Sequence, residues 1–290
     1  MRPPRPAARP GQAPLSPTTL ARVSGLVVAL AGFVVAFGPP RRLAQRLGWR
    51  LGEQTPVLFH RLLCAGLRVE VRRHGELSAE GRRLIVANHV SWLDIPVLGS
   101  LAPMSFLAKK EIGAHPVGRQ LVAMQGVVYV DRERRRCIPE VNAGMAEAMS
   151  AGSPVVLFAE ATTGDGNRLL GFRSSHFEAI RQAARLDNQS PAFVQPVYLH
   201  YSRLAGLAMG RFQRPRVAWY GDMAFMPHLR RYLGGGGVTC DVYCGEPIRV
   251  RPDMDRKTAA RLTATEVRRL ATEAHARRAP LFSRAAKSPK

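Results

Sequence analysis

The stretch Leu84-Ile85-Val86-Ala87-Asn88-His89-Val90-Ser91-Trp92-Leu93-Asp94-Ile95-Pro96 decides how this chain is read. Four apolar residues ending in Asn88-His89 predict a buried strand that delivers its last side chain into a cleft, and Ser91 predicts the N-cap of the helix that follows. On one continuous helix a separation of five residues turns about 500°, which leaves His89 and Asp94 roughly 140° apart and unable to touch. They can pair only if His89 precedes the helix. In that arrangement Asp94 accepts from one imidazole nitrogen and fixes the tautomer, leaving the other nitrogen to take a proton from a hydroxyl. The result is a His-Asp base without a protein nucleophile. A second reading stands beside it: Ser91-Trp92-Leu93-Asp94 is also a capping box, in which Asp94 satisfies an orphan amide at a helix start.

Downstream of this stretch, residues 104–108 read as a strand ending in Lys109-Lys110, 116–124 as a helix, and Gly126-Val127-Val128-Tyr129-Val130-Asp131-Arg132 as the next strand. A helix at 141–149 leads to a buried strand at 154–158, which ends in Ala159-Glu160-Ala161-Thr162. Then come a helix at 175–186, strands at 192–198, 217–220 and 238–243, and a closing helix at 256–277. Upstream, 54–67 has apolar residues at helical spacing, and Val69 and Val71 alternate with charge in a short edge strand. Strands separated by helices predict an α/β domain over 54–279, a mainly parallel sheet flanked by helices, whose ligands gather at the carboxyl ends of the strands. The polar signals sit there: Asn88-His89, Lys109-Lys110, Asp131-Arg132, and Glu160 with Thr162 each close a strand.

The termini read differently. Residues 1–19 are rich in Pro, Ala and Arg without periodicity, which predicts disorder, and 280–290 form a basic tail. Residues 23–38 are uncharged, flanked by Arg22 on one side and by Arg41, Arg42, Arg46 and Arg50 on the other, and followed directly by Pro39-Pro40. Sixteen helical residues span about 24 Å against a bilayer core of about 30 Å, so a transmembrane helix, a re-entrant helix and a signal-peptide core are all open. Because Pro39-Pro40 and the arginine cluster stand where a small-residue cleavage site would be, the reading adopted is a retained membrane anchor within 20–53.

With 46% hydrophobic residues in 290, the chain can bury a full core; charge is its outlier. A net charge of +22, from 43 basic residues of which all but five are arginine, implies an anionic partner: nucleic acid, an anionic membrane surface, or a phosphorylated or carrier-linked substrate. Aromatic content of 7% and the absence of a recognised module or zinc spacing argue against nucleic acid. The four cysteines, Cys64, Cys137, Cys240 and Cys244, show no C-x-x-C pairing and read as free thiols without a metal site. The other histidines (His60, His74, His115, His176, His200, His228 and His275) show no ordered partners and read as structural or exposed.

Between 84 and 198 the residues resemble the PlsC-type glycerophospholipid acyltransferases, a family that includes lysophosphatidate and lyso-ornithine-lipid acyltransferases. Asn88-His89-x4-Asp94 is similar to the family's first block, Gly126 to Arg132 to its second, Phe158-Ala159-Glu160-Ala161-Thr162 to its third, and Val194-Gln195-Pro196-Val197 to its fourth. The third block departs from the family's Phe-Pro-Glu-Gly-Thr: alanine replaces both Pro and Gly, removing easy access to positive φ, so a different loop backbone is expected there. The segment 163–167 and Trp219-Tyr220-Gly221-Asp222-Met223 resemble the lyso-ornithine-lipid branch more than the lysophosphatidate one.

The resemblance implies acyl transfer from acyl carrier protein or coenzyme A to the free hydroxyl of a lysolipid, with no metal or further cofactor, on the cytoplasmic face of the cell inner membrane. His89 and Asp94 would supply the base. Arg132 would hold a lipid phosphate or carboxylate, and Glu160 and Thr162 would orient the acceptor or, alternatively, cap a strand-helix turn. For Lys109 a substrate role and a membrane-surface charge are equally open. The rival readings are a basic nucleic-acid-binding protein, and a membrane scaffold that keeps the fold without the activity.

Overall fold

The computed structural model describes residues 15–47, 53–109, 126–130, 138–186 and 190–277. Their nine strands form one sheet: β1 (Val69–His74), β2 (Arg82–Ala87), β3 (Ser105–Lys109), β4 (Gly126–Val130), β5 (Val155–Phe158), β6 (Ala192–Leu204), β7 (Leu207–Ala208), β8 (Val238–Cys244) and β9 (Ile248–Val250). The order is β1-β8-β6-β2-β5-β3-β4, with β7 and β9 pairing β6. Strands β6, β2, β5, β3 and β4 are mutually parallel, as the alternation of strands and helices predicts. The pair β1 and β8, parallel to each other, joins β6 antiparallel, so the sheet is mixed at one edge.

Strand β2 is covered on both faces, which is why its sequence is an unbroken apolar run rather than an alternating one. Leu84 and Val86 pack with Val141, Met145 and Ile180, on the side of helices α4 (Ile138–Ser150) and α5 (Glu178–Leu186). Ile85 and Ala87 face Leu93, Val97 and Leu98, on the side of α2 (Thr55–Leu67) and α3 (Asp94–Gly99). Burying the four side chains contributes roughly 1.5–3 kcal/mol for each large one, and it fixes the strand whose end carries His89. Two further helices, α6 (Phe225–Leu233) and α7 (Arg256–Ala276), complete the layers.

Several elements depart from the sequence reading. Helix α1 (Pro17–Arg46) begins inside the segment expected to be disordered, because Ser16 Oγ accepts the Thr19 amide at 3.2 Å and Pro17 occupies the first helical turn. It also runs through Pro39 and Pro40, with Arg41 and Ala44 buried beyond them. Its apolar stretch, Pro17–Arg41, therefore spans 25 residues, about 37 Å at 1.5 Å per residue, and is long enough to cross a bilayer. Residues 217–220 are not a strand. They follow a 3-10 helix (Arg211–Arg216), bury Val217 and Ala218, and cross the His89 loop through a Trp219 N–H to Val90 carbonyl bond of 2.9 Å. Strand β6 runs six residues past Tyr198, and α6, β7 and β9 lie in segments whose sequence carried no clear period. The expected helix at 116–124 and the loop after β4 lie outside the described residues.

Candidate active site

The parallel strands β2 and β5 end side by side, with Ala87 opposite Phe158, and both chains then leave the sheet at the same end. Asn88 makes the departure possible. Its side chain donates to the Leu199 carbonyl at 3.1 Å and accepts the Leu199 amide at 2.7 Å, supplying β6 with the ladder bonds that the backbone of β2 no longer gives. The chain then turns before α3, so His89 precedes the helix, as pairing required.

His89 Nδ1 lies 2.8 Å from Asp94 Oδ2. The same oxygen accepts the amides of Val90 at 2.7 Å and Ser91 at 2.9 Å, while Oδ1 accepts the Tyr201 hydroxyl at 2.6 Å. Asp94 thus both pairs with His89 and accepts backbone amides, although Ser91 is not the N-cap: α3 starts at Asp94 itself, with Leu93 before it. A carboxylate with 0% exposure is costly to bury unless its lone pairs are matched, and four donors match them. As an acceptor on this side, Asp94 places the imidazole proton on Nδ1 and leaves Nε2 as the proton acceptor. The His89 side chain is 21% exposed, and its ring stacks on Phe158 at 4.0 Å between centroids. Burial first, and then the Asp94 charge, hold the Tyr201 hydroxyl far above its ordinary pKa, so it remains a donor.

Glu160 is buried, and both its oxygens are engaged by backbone: Oε2 accepts the His89 amide at 3.0 Å and Oε1 the Leu170 amide at 2.8 Å. Burial raises its pKa, and these two amides pull against that rise. In this arrangement its carboxylate ties the His89 amide to the segment around Leu170. The loop is pinned twice more, by the Gly164 amide on the His89 carbonyl at 2.7 Å and by Trp219 on Val90. Thr162 is exposed beside it. Ala161 takes φ +59°, so the third block adopts a left-handed backbone at this position although alanine does not reach it easily. Lys109 closes β3, paired through its backbone with Val130, at the same end of the sheet as His89. Two strand spacings separate β3 from β2, about 10 Å. Arg132 lies outside the described residues, as do Lys110 and Cys137.

Sequence reasoning missed Tyr201, 107 residues from Asp94, because one tyrosine on a buried strand carries no local signal of chemistry. It also missed partners of other histidines. His74 Nε2 meets Asp241 Oδ1 at 2.9 Å, His176 pairs with Asn142, and His228 accepts from Trp92 Nε1 at 3.2 Å. Cys64, Cys240 and Cys244 are free thiols, and burial pushes Cys64 up to about 12.

Comparison with known proteins follows the same residues. The Acyltransferase family model matches 68–200, a span that contains His89, Asp94 and Glu160. The chain is similar to a lyso-ornithine lipid O-acyltransferase of Brucella abortus, 38% identical over 251 residues, which cover 86% of this chain and 93% of that protein. It is similar to a second protein of that name from Rhizobium meliloti, 37% identical over 75% of each chain. In fold it resembles the 1-acyl-sn-glycerophosphate (LPA) acyltransferase PlsC from Thermotoga maritima, with a TM-score of 0.59, 17% identity, and coverage of 94% of this chain and 98% of the other.

Proposed function

The chain belongs to the acyltransferase family, of PlsC type, and we propose that it transfers a fatty acyl group from an acyl carrier protein or coenzyme A thioester to the free hydroxyl of a lysolipid. The observation that carries this reading is the His89–Asp94 pair, with its carboxylate matched by four donors and Nε2 left as acceptor. The lysolipid hydroxyl oxygen attacks the thioester carbonyl carbon while Nε2 takes the hydroxyl proton; the C–S bond then breaks, and the leaving thiolate recovers that proton from the imidazolium. A positioned base of this kind contributes about 10²–10⁴ in rate. No acyl-enzyme intermediate is needed, because the acceptor is itself the nucleophile. The assembled pair favours an active enzyme over a scaffold that keeps only the fold.

Lyso-ornithine lipid is the acceptor we favour over 1-acyl-sn-glycerol 3-phosphate, since similarity over three quarters or more of the chain runs to proteins named for it. Arg132 and Lys109 are assigned to the acceptor head group, and Thr162 to the rim of the same cleft. Glu160 is assigned as a positioning residue acting through the His89 amide. Helix α1 anchors the protein in an anionic membrane, and the inner membrane with the domain on its cytoplasmic face is where carrier-linked donors would reach it. The test is turnover by the purified chain in anionic vesicles, offering each lysolipid with each donor and identifying products by mass spectrometry. Acylation of neither lysolipid overturns the function; acylation of the glycerol phosphate alone overturns the acceptor assignment.

A further inference from the structure

Beyond the anchor, one surface of the domain has a composition that aqueous contact does not explain. Leu207, Phe212, Phe225 and Met226 are all exposed, Phe212 completely, although they come from the β7 hairpin, the 3-10 helix and the start of α6. The 3-10 helix packs against α6, and exposed apolar side chains on neighbouring elements suit an interaction site. The same stretch of chain carries exposed arginines: Arg203, Arg211, Arg216 and Arg230. From 202 to 239 the chain carries six arginines against a single acid, Asp222. Exposed apolar side chains interspersed with arginine match a bilayer surface with anionic head groups, where insertion and charge attraction act together.

Two contacts fix where this surface lies. Phe225 packs edge-on against Trp92 at 5.6 Å and Trp219 at 6.1 Å, and the Trp219 amide bonds the Val90 carbonyl, so this end of α6 is tied to the loop that carries His89. At the far end of α6 the Leu233 carbonyl accepts Arg22 Nη2 of α1 at 3.0 Å. The nine residues of α6 therefore run from the patch to the proposed anchor, about 13 Å along the helix. On α1 itself Val27, Val28 and Val35 are exposed.

We propose that the Leu207–Met226 surface inserts shallowly into the anionic bilayer as a second membrane contact, holding the mouth of the His89 cleft at the level where a lysolipid presents its hydroxyl. This deepens the membrane reading above and rests on it. The patch then serves as the rim over which the acceptor leaves the bilayer, and α1 sets the distance of the domain from it.

The experiment uses the full chain bound to vesicles of phosphatidylglycerol and phosphatidylcholine with brominated acyl chains, which quench tryptophan at insertion depths of about 5–10 Å. Three variants each add one tryptophan to the common background: Phe212→Trp in the patch, Val28→Trp on α1, and Leu186→Trp at the end of α5. Leu186 is exposed and lies near the start of β6, at the opposite end of the sheet. The added emission of the Phe212 and Val28 variants is expected to fall at least twofold on bromination, and that of the Leu186 variant to stay unchanged. Quenching at Val28 with none at Phe212 overturns the patch and leaves the anchor; quenching at neither overturns the membrane reading as well. Equal quenching at Leu186 and Phe212 also overturns the proposal, since the contact would then be unoriented. As a functional arm, the double variant Leu207→Ser with Phe212→Ser is expected to raise the apparent KM for vesicle-borne lysolipid about tenfold with kcat unchanged, and to match the parent in detergent micelles. An equal KM rise in both media counts against the patch.

Discussion

Two His-Asp pairs lie on opposite faces of the same sheet, and they are nearly identical as contacts: 2.8 Å for His89–Asp94 and 2.9 Å for His74–Asp241. Both histidines follow or close a strand, and both stack on an aromatic ring, Phe158 in one case and Tyr243 in the other. They differ in what surrounds the carboxylate. Asp94 is wholly buried and receives two amides and a tyrosine hydroxyl besides the imidazole, whereas Asp241 keeps 12% of its side chain in solvent and meets His74 diagonally across β1 and β8. Partial solvent contact weakens the second pair, whereas full burial of the carboxylate and its fixed donors hold the first. A His-Asp contact is therefore common, and the site is made by the donors that hold the aspartate.

This contrast can be broken at the histidines. His89→Ala is expected to lower kcat by about 10³ or more, because it removes the proposed base. His74→Ala is expected to stay within about twofold of the parent, as suits a pair outside the His89 site whose histidine is 30% exposed. Equal losses in the two purified, folded variants would show that the second pair also serves the chemistry. At the aspartates the effect shrinks but the asymmetry holds: Asp94→Asn turns an N–H₂ toward donors that need an acceptor, which disturbs the imidazole tautomer, and kcat is expected to fall about 10²-fold. Asp241→Asn should leave turnover as it is.

Tyr201→Phe sharpens the comparison further, since it removes one of the donors that distinguish the pairs. Asp94 Oδ1 would be left buried without its hydroxyl partner, at a cost of about 1–3 kcal/mol in unfolding free energy. Activity should fall about tenfold in kcat with KM for both substrates little changed, as expected of a residue that acts through Asp94. A denaturant titration and steady-state kinetics on the same preparation check both halves. A loss confined to stability would make the tyrosine a packing residue only.

The parallel core was legible because β2 and β5 are short apolar runs that end in polar residues, and His89 with Asp94 was legible because five-residue spacing admits only one geometry. The rest depended on distance in sequence. Tyr201 reaches Asp94 from another strand, and Glu160 meets the amide of His89 rather than any side chain that a pattern could suggest. The passage of α1 through Pro39-Pro40 went against a sound local rule, and burial of Arg41 and Ala44 beyond the prolines holds the turn that the rule forbids. Likewise 217–220 has strand composition, yet its backbone is used to pin Val90. Local propensity gave way wherever the chain had to close over the His89 loop.

The smallest effect lies in that loop and marks a last difference between the two pairs. His74 and Asp241 sit on regular strands, whereas the segment after Glu160 holds Ala161 at φ +59°, a conformation that costs an L-residue roughly 1–2 kcal/mol. Glycine removes this strain but gains entropy in the unfolded chain, which returns roughly 0.5–1 kcal/mol of the benefit. Because Ala161 is exposed, no packing is lost with its methyl group. Ala161→Gly should therefore stabilise the protein by about 0.5–1 kcal/mol, a rise of about 1–4 °C in Tm, with kcat within about twofold of the parent. Ala161→Val is the counter-test: a β-branched side chain is a genuine outlier at positive φ and should destabilise the fold by at least about 1 kcal/mol. If glycine destabilises and valine is neutral, the loop is not left-handed at this position. The third block would then hold Glu160 against His89 by a different backbone route.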